Sequence, residues 1–425
     1  MKCDYACLSG EHEIGRRQFL GGLAGGLGAV AGGLGIMASP AATKQLSKDQ
    51  KRVIVIYMSG GLSQLESWDP KPKTKTGGPF RAIPTSVPGV HISELLPLTA
   101  QHMDKLAIVR GINTKNGDHG KGRYQMQHGR NQRPGIQLPN LGAVCAKALE
   151  SPTNPLPGHI RIPGGGRGND AAYLGPRYAS IGINGKPPAN SARVDSLTAA
   201  ADQARNAFRR KANSRFDRQR RTAQTDAYTY SYEQAQELMK KRGVFDVTKE
   251  PAKDHERYGK HDFGQHCLMA RRLLENGIPF VQLSHSNYDT HNENFNFHLE
   301  QLGEFDRSYS ALIGDLHERG MLDSTLIVVM SEFGRTPNIN KYYGRDRWGT
   351  AWSVCLAGGR LQRGAVVGKT NKGGTAVIED EVDHGNLFHT YLAAVGLDSS
   401  DTFDIGGRPI PLADPASGPI TKLLS

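Results

Sequence analysis

Residues 325–337 read TLIVVMSEFGRTP. Six strand-forming residues run without a break, then stop at a serine, a carboxylate, an aromatic ring, a glycine and an arginine. An uninterrupted apolar run of that length suits a parallel strand covered on both faces. In open α/β sheets, ligands are held beyond the carboxyl ends of such strands. The stretch therefore predicts both a fold class and the place where chemistry belongs.

Other segments repeat the pattern. VIVIYM (53–58) is wholly apolar and ends in Ser59-Gly60-Gly61, and KLAIVRGI (105–112), PFVQLSHS (279–286) and SVCLAGG (353–359) are further strand candidates. Between them, HDFGQHCLMARRLLENG (261–277) places Phe263, Cys267, Ala270 and Leu274 at helical spacing and stops at Gly277. Leu302, Phe305, Tyr309, Leu312 and Leu316 mark a second amphipathic helix, and LFHTYLAAVG (387–396) a short last one. Strands alternating with helices predict an α/β fold with a mostly parallel sheet. Residues 151–195 are rich in Pro and Gly with little periodicity. With the basic helical segment after them, they read as an insertion at about 151–230 in a single domain of 48–425.

Three polar clusters follow predicted strands: 116–130, 284–294 and 331–348. In the second, Asp289 and His291 are a donor pair for a divalent metal; alternatively Asp289 caps the following helix, a role Asn292 or Asn294 could also fill. In the first, Asp118 and His119 precede a helix carrying Arg123, an arrangement suited to anions; the alternative is a glycine-rich loop with Asp118 as its cap. In the third, Glu332 is a ligand or a base, or else forms a plain ion pair with Arg335.

Composition narrows the class. With 37% apolar and 22% charged residues, the chain can bury a substantial core. Half of the formal charge of +12 comes from residues 199–222, where eight Lys/Arg face Asp202 and Asp217. No nucleic-acid motif accompanies that run, and it reads as a solvated helix face, so no nucleic-acid partner is expected. After the leader, Cys145, Cys267 and Cys355 remain, without C-x-x-C spacing, so neither a disulfide framework nor a thiolate metal site is expected.

The leader itself is GRRQFL (15–20) followed by an uncharged run diluted by eight glycines in 21–35. It predicts a twin-arginine signal over residues 1–42 and a periplasmic or extracellular protein with no stable membrane insertion after cleavage.

The stretches MSGGLSQLESWDPKP, GGPFRAIPTSVPGVHISELLPLTAQHMDKLAIVRGI, ERYGKHDFGQHCLMARRLLENGIPF, YDTHNENF, SEFGRTP and GRDRW resemble, in order, the family called domain of unknown function 1501. Its members are common in planctomycete-like bacteria and are grouped with alkaline phosphatases and sulfatases. The resemblance implies an alkaline-phosphatase-like three-layer αβα sandwich that acts on sulfate or phosphate esters through metals held at strand ends. HGKGRYQMQHGR (119–130) matches in length the sulfatase stretch that carries the nucleophile, with His119 at the nucleophile's place and Arg123 on the motif arginine. Glu332-Phe333-Gly334 stands for Asp-His-Gly, Ser59 for a metal aspartate, and Arg347 for a possible histidine ligand. The leading expectation is an exported ester hydrolase. Asp289, His291 and Glu332 would hold a divalent metal (Zn, Ca or Mg), His119 or Asp118 would be the acid/base or covalent partner, and Arg123 would steady the anion. The alternative is a catalytically silent member, with or without metal, that binds anionic polysaccharide or a cell-surface partner.

Overall fold

A computed structural model describes residues 50–424 apart from 152–153, 155, 165–167, 188–190, 221–222 and 406, and the side chains of 216–220 and 223–228. The proposed leader lies outside the described residues. The central sheet has eight strands: β1 (Arg52–Met58), β2 (Leu106–Ile112), β3 (His159–Ile162), β4 (Ile181–Gly182), β5 (Phe280–His285), β6 (Thr325–Met330), β7 (Trp352–Gly358) and β8 (Val366–Val367). Their order across the sheet is β8-β2-β7-β6-β1-β5-β3-β4. All neighbours are parallel except those of β7, which runs antiparallel to both β2 and β6.

β1 lies at the centre, and its alternating side chains enter two separate cores. Ile54, Ile56 and Met58 join Phe263, Leu268, Leu302 and Phe305 on one face. Val53, Val55 and Tyr57 join Met126, Leu141, Leu387 and Phe388 on the other. The helices that cover the first face are α6 (Asp262–Glu275) and α7 (Asn294–Glu318); the second is covered by α1 (His119–His128), α2 (Leu141–Ala148) and α8 (His384–Ala394). The expected three layers, with a mostly parallel sheet between helices, are therefore present. A strand buried on both faces needs apolar residues at successive positions, which is why VIVIYM and TLIVVM read as unbroken runs.

Residues 151–195 differ from the expected insertion. β3 and β4 extend one edge of the sheet from within that Pro/Gly-rich stretch. The basic segment does form helices, α3 (Ala199–Arg220) and α4 (Ala223–Lys240). They are tied to each other by Arg209 on Glu233, by Gln236 on Asn206, and by the Arg209 guanidinium 4.2 Å from the Tyr232 ring centroid. A seven-residue helix, α5 (Ala252–Tyr258), precedes α6. Among the described residues no helix is long and apolar enough to cross a membrane.

Gly60, just past β1, has φ +119° and lies so close to the neighbouring loop that a Cβ would stand 2.3 Å from the Asp289 nitrogen. Both the dihedral and the contact require glycine. Gly60→Ala is expected to cost about 1–3 kcal/mol of stability and to displace Asp289; an unchanged thermal midpoint would contradict that packing.

Candidate anion site at the sheet edge

Because β1, β2, β5 and β6 are parallel, the three polar clusters emerge at one edge. β1 leads into Ser59-Gly60, β2 into the 113–118 loop and α1, β5 into 286–293, and β6 into Ser331–Arg335. A short antiparallel pairing of Gly334–Arg335 with Arg347–Trp348 brings the GRDRW segment to the same place.

His119, the first residue of α1, is the centre of the group. Its Nδ1 lies 2.6 Å from Glu332 Oε1 and its Nε2 3.2 Å from Asp289 Oδ2. Only the doubly protonated ring can donate at both nitrogens; the neutral ring satisfies one carboxylate and offers a lone pair to the other. Glu332 is fully buried, and its Oε1 also accepts from the Gly60 amide at 3.0 Å. The contact is fixed by close helix–strand packing, because a Cβ on Gly122 would sit 2.6 Å from the Glu332 carbonyl oxygen. Phe333, where the resemblance implies a histidine, packs its ring 4.9 Å from that of His119. It supports the imidazole rather than ligating anything.

Asp289 is surrounded by cationic and imidazole groups. Arg335 Nη2 is 2.5 Å from Oδ1, Arg347 Nη2 is 3.6 Å from Oδ2, and His291 Nε2 is 3.1 Å from Oδ1. Partial desolvation opposes its ionisation, but the hydrogen bond and charge of Arg335, together with His119 and His291, hold the carboxyl below its usual range. His291 turns its other nitrogen to Asp346, 2.7 Å away. Asp289 does not cap α7: the N-cap there is Glu293, in left-handed geometry and without a side-chain cap bond. The alternative reading of Glu332, an ion pair with Arg335, is not formed either. Arg335, fully buried, instead donates to the carbonyls of Gly60, Gly61 and Arg345 and to Asp289.

Asp118 is the N-cap of α1, accepting from the Lys121 amide at 2.8 Å. Arg123 sits one helical turn beyond His119, with its guanidinium 5.7 Å from the Tyr57 ring centroid. The Tyr57 hydroxyl is buried near Arg123 and Glu332 without a hydrogen bond of ordinary length, and burial, then the Glu332 charge, pushes its pKa well above the phenol value.

Among the described residues, no three His, Cys, Asp or Glu side chains converge as a metal-ligand set. Asp289 and His291 meet, but Glu332 is spanned from Asp289 by the His119 ring, and two guanidinium groups already face the Asp289 oxygens. A divalent ion placed there would have to displace both arginines. Asp289, His291 and Glu332 as arranged do not fit it.

Three contributors were not singled out from sequence: Tyr57, Asp346 and the buried pair Glu66–Arg345. In that pair, Arg345 Nη2 is 2.8 Å and Nε 3.0–3.2 Å from the Glu66 carboxylate, and the Asn294 amide adds a bond at 3.0 Å. It pins the loop after β1 to the segment that carries Asp346 and Arg347. Glu66 lies in the quoted MSGGLSQLESWDPKP stretch and Arg345 in GRDRW, a pairing that spacing in the chain does not reveal.

The sequence profile described as "Protein of unknown function (DUF1501)" matches residues 50–424. The chain belongs to that family. A comparison with curated proteins gives no match. Solved structures similar to this DUF1501 member include a sulfatase from Pseudoalteromonas sp., with 12% identity over 85% of this chain and 72% of that one, TM-score 0.37. A phosphonate monoester hydrolase from Silicibacter pomeroyi shows 13% identity over 84% and 75%, TM-score 0.37. The lipoteichoic acid synthase from Listeria monocytogenes shows 8% identity over 89% and 78%, TM-score 0.37.

Proposed function

We propose that this DUF1501 protein takes up an anionic ester, a sulfate or phosphate, between His119 and the arginines around Asp289, and that His119 is the acid/base or covalent partner in its hydrolysis. The observation that carries the reading is the His119 ring held between Glu332 and Asp289, at 2.6 and 3.2 Å. A buried carboxylate on Nδ1 fixes the ring's orientation, as the orienting acid does in hydrolytic triads. Nε2 is then the working atom, able to take a proton from water or give one to a departing alkoxide. Arg347, partly exposed and only 3.6 Å from Asp289, can exchange that carboxylate for an incoming oxyanion, with Arg123 on the same face of α1 as His119. Asp289 would release one partner as substrate arrives.

A second reading has its own observation. His119 stands at the position the family resemblance gives to the nucleophile, and Asp289 is already neutralised by arginines. Such a site could bind an anionic polysaccharide without turning it over. Turnover of 4-nitrophenyl sulfate, phosphate or a phosphonate monoester by the purified chain distinguishes the two. Hydrolysis of any supports the enzyme; binding with no hydrolysis across the panel transfers the account to the silent binder.

We further propose that the protein is exported through residues 1–42. Arg16→Lys combined with Arg17→Lys is expected to leave unprocessed protein in the cytoplasm; normal processing of that double variant would remove the proposal.

A further inference from the structure

α3 and α4 meet through a polar seam. Asn206 accepts from Gln236, Arg209 donates to Glu233, and Asn213 Nδ2 donates to Thr229 Oγ1 at 3.2 Å. Spaced three and four apart, Asn206, Arg209 and Asn213 share one stripe of α3. Asn206 is buried and the other two are half-buried.

The apolar stripe of the same helix is turned away from that seam. Ala201, Ala204, Phe208 and Ala212 fall within about 80° of the helix circumference, roughly 130° round from the seam. All four are exposed, Phe208 at 75%. A surface helix ordinarily buries such a stripe, because tertiary packing of the apolar face supplies most of its stability. In α3 polar contacts hold the helix to α4, and the Phe208 ring is left outside.

Cations border the exposed stripe. Arg205 lies along one side, Lys211 along the other, and Arg215 continues it toward the C-terminal end; all three are exposed. Arg205 pairs with Asp202 at 2.9 Å, whereas Lys211 and Arg215 form no ion pair among the described residues. Two copies of this face would bring like charges together, which disfavours self-association. An acidic polysaccharide would engage the cations but leave the Ala/Phe stripe without a partner. An anionic lipid interface meets both: its phosphates face the cations, and the acyl boundary receives the ring.

We infer that α3 is a docking face for an anionic phospholipid surface. The helix lies flat on it, with Phe208 at the headgroup–acyl boundary and Arg205, Lys211 and Arg215 on the phosphates. The inference stands apart from the chemistry proposed at His119.

Co-sedimentation of the full chain with two kinds of vesicle tests it: phosphatidylcholine alone, and equal parts phosphatidylcholine and phosphatidylglycerol. Partition onto the mixed vesicles should be at least tenfold stronger and should fall as sodium chloride is raised. Lys211→Glu with Arg215→Glu should weaken it at least tenfold, and Phe208→Ala several-fold, with unchanged thermal midpoints. The leader is the same in every variant, so a difference between them reports α3. Phe208→Trp gives a local readout: its added emission should shift to the blue on mixed vesicles only. Equal partition onto both vesicles overturns the inference, as does binding indifferent to the charge pair or an unshifted emission from Phe208→Trp. Binding to dextran sulfate that falls with the charge pair, while vesicle binding does not, would assign the face to an acidic polysaccharide instead.

Discussion

His119→Ala is expected to lower kcat/KM for a sulfate or phosphate ester by about 10²–10⁴-fold, the range of a lost acid/base group. The fold should survive, because the ring is partly exposed and α1 keeps its Asp118 cap. Glu332→Gln should act through the same atom. The amide can still accept from Nδ1–H but brings no charge to the ring, so the rate should fall. A His119→Ala protein that hydrolyses the ester at the wild-type rate would show that the reacting group is elsewhere. Equal loss of stability and activity would assign His119 a structural task.

Arg345→Met is the substitution expected to cost most in stability. It leaves Glu66, fully buried, without its guanidinium, and stranding one partner of a buried pair costs about 3–5 kcal/mol. The pH dependence follows from the Glu66 pKa. Burial opposes ionisation, but Arg345, with His298 adding to it, depresses the folded value below the ordinary 4.5. The pair therefore contributes its full stability above about pH 4.5 and loses it as pH falls through the depressed folded value. In Arg345→Met the unpaired carboxyl titrates upward instead, and protonation relieves the buried charge. The deficit measured by denaturant unfolding should be large at pH 7.5 and smaller at pH 4. The same deficit at both would mean that packing, not charge, explains the loss.

Much of the fold was legible in the chain because buried parallel strands and amphipathic helices write themselves as composition and period. VIVIYM, KLAIVRGI, PFVQLSHS and TLIVVM are strands of the sheet, and Phe263, Cys267, Ala270 and Leu274 are the buried stripe of α6. Strand direction is not written that way: β7 reads like its neighbours yet runs against them. β3 and β4 escaped notice because HIRI and a two-residue strand are too short for a period, set among Pro and Gly. At the site, local sequence gave the carboxylates, histidines and Arg123 as candidates, but their partners depend on chain crossings. Arg335 is three residues from Glu332, yet the pairing with Arg347–Trp348 turns it to Asp289. Asp118 reads as a functional carboxylate or a cap from sequence alone; the Lys121 amide 2.8 Å away accounts for its role as cap.

The proposed oxyanion site beside His119 relies on arginine rather than on metal. Its most direct measurement is calorimetric titration of orthovanadate into protein freed of metal by chelation, with wild type beside Arg123→Ala and Arg347→Ala. The prediction is one bound anion per chain in the metal-free wild type, at least tenfold weaker in each arginine variant. Binding that appears only after zinc, calcium or magnesium is restored, or that ignores both arginines, would contradict it.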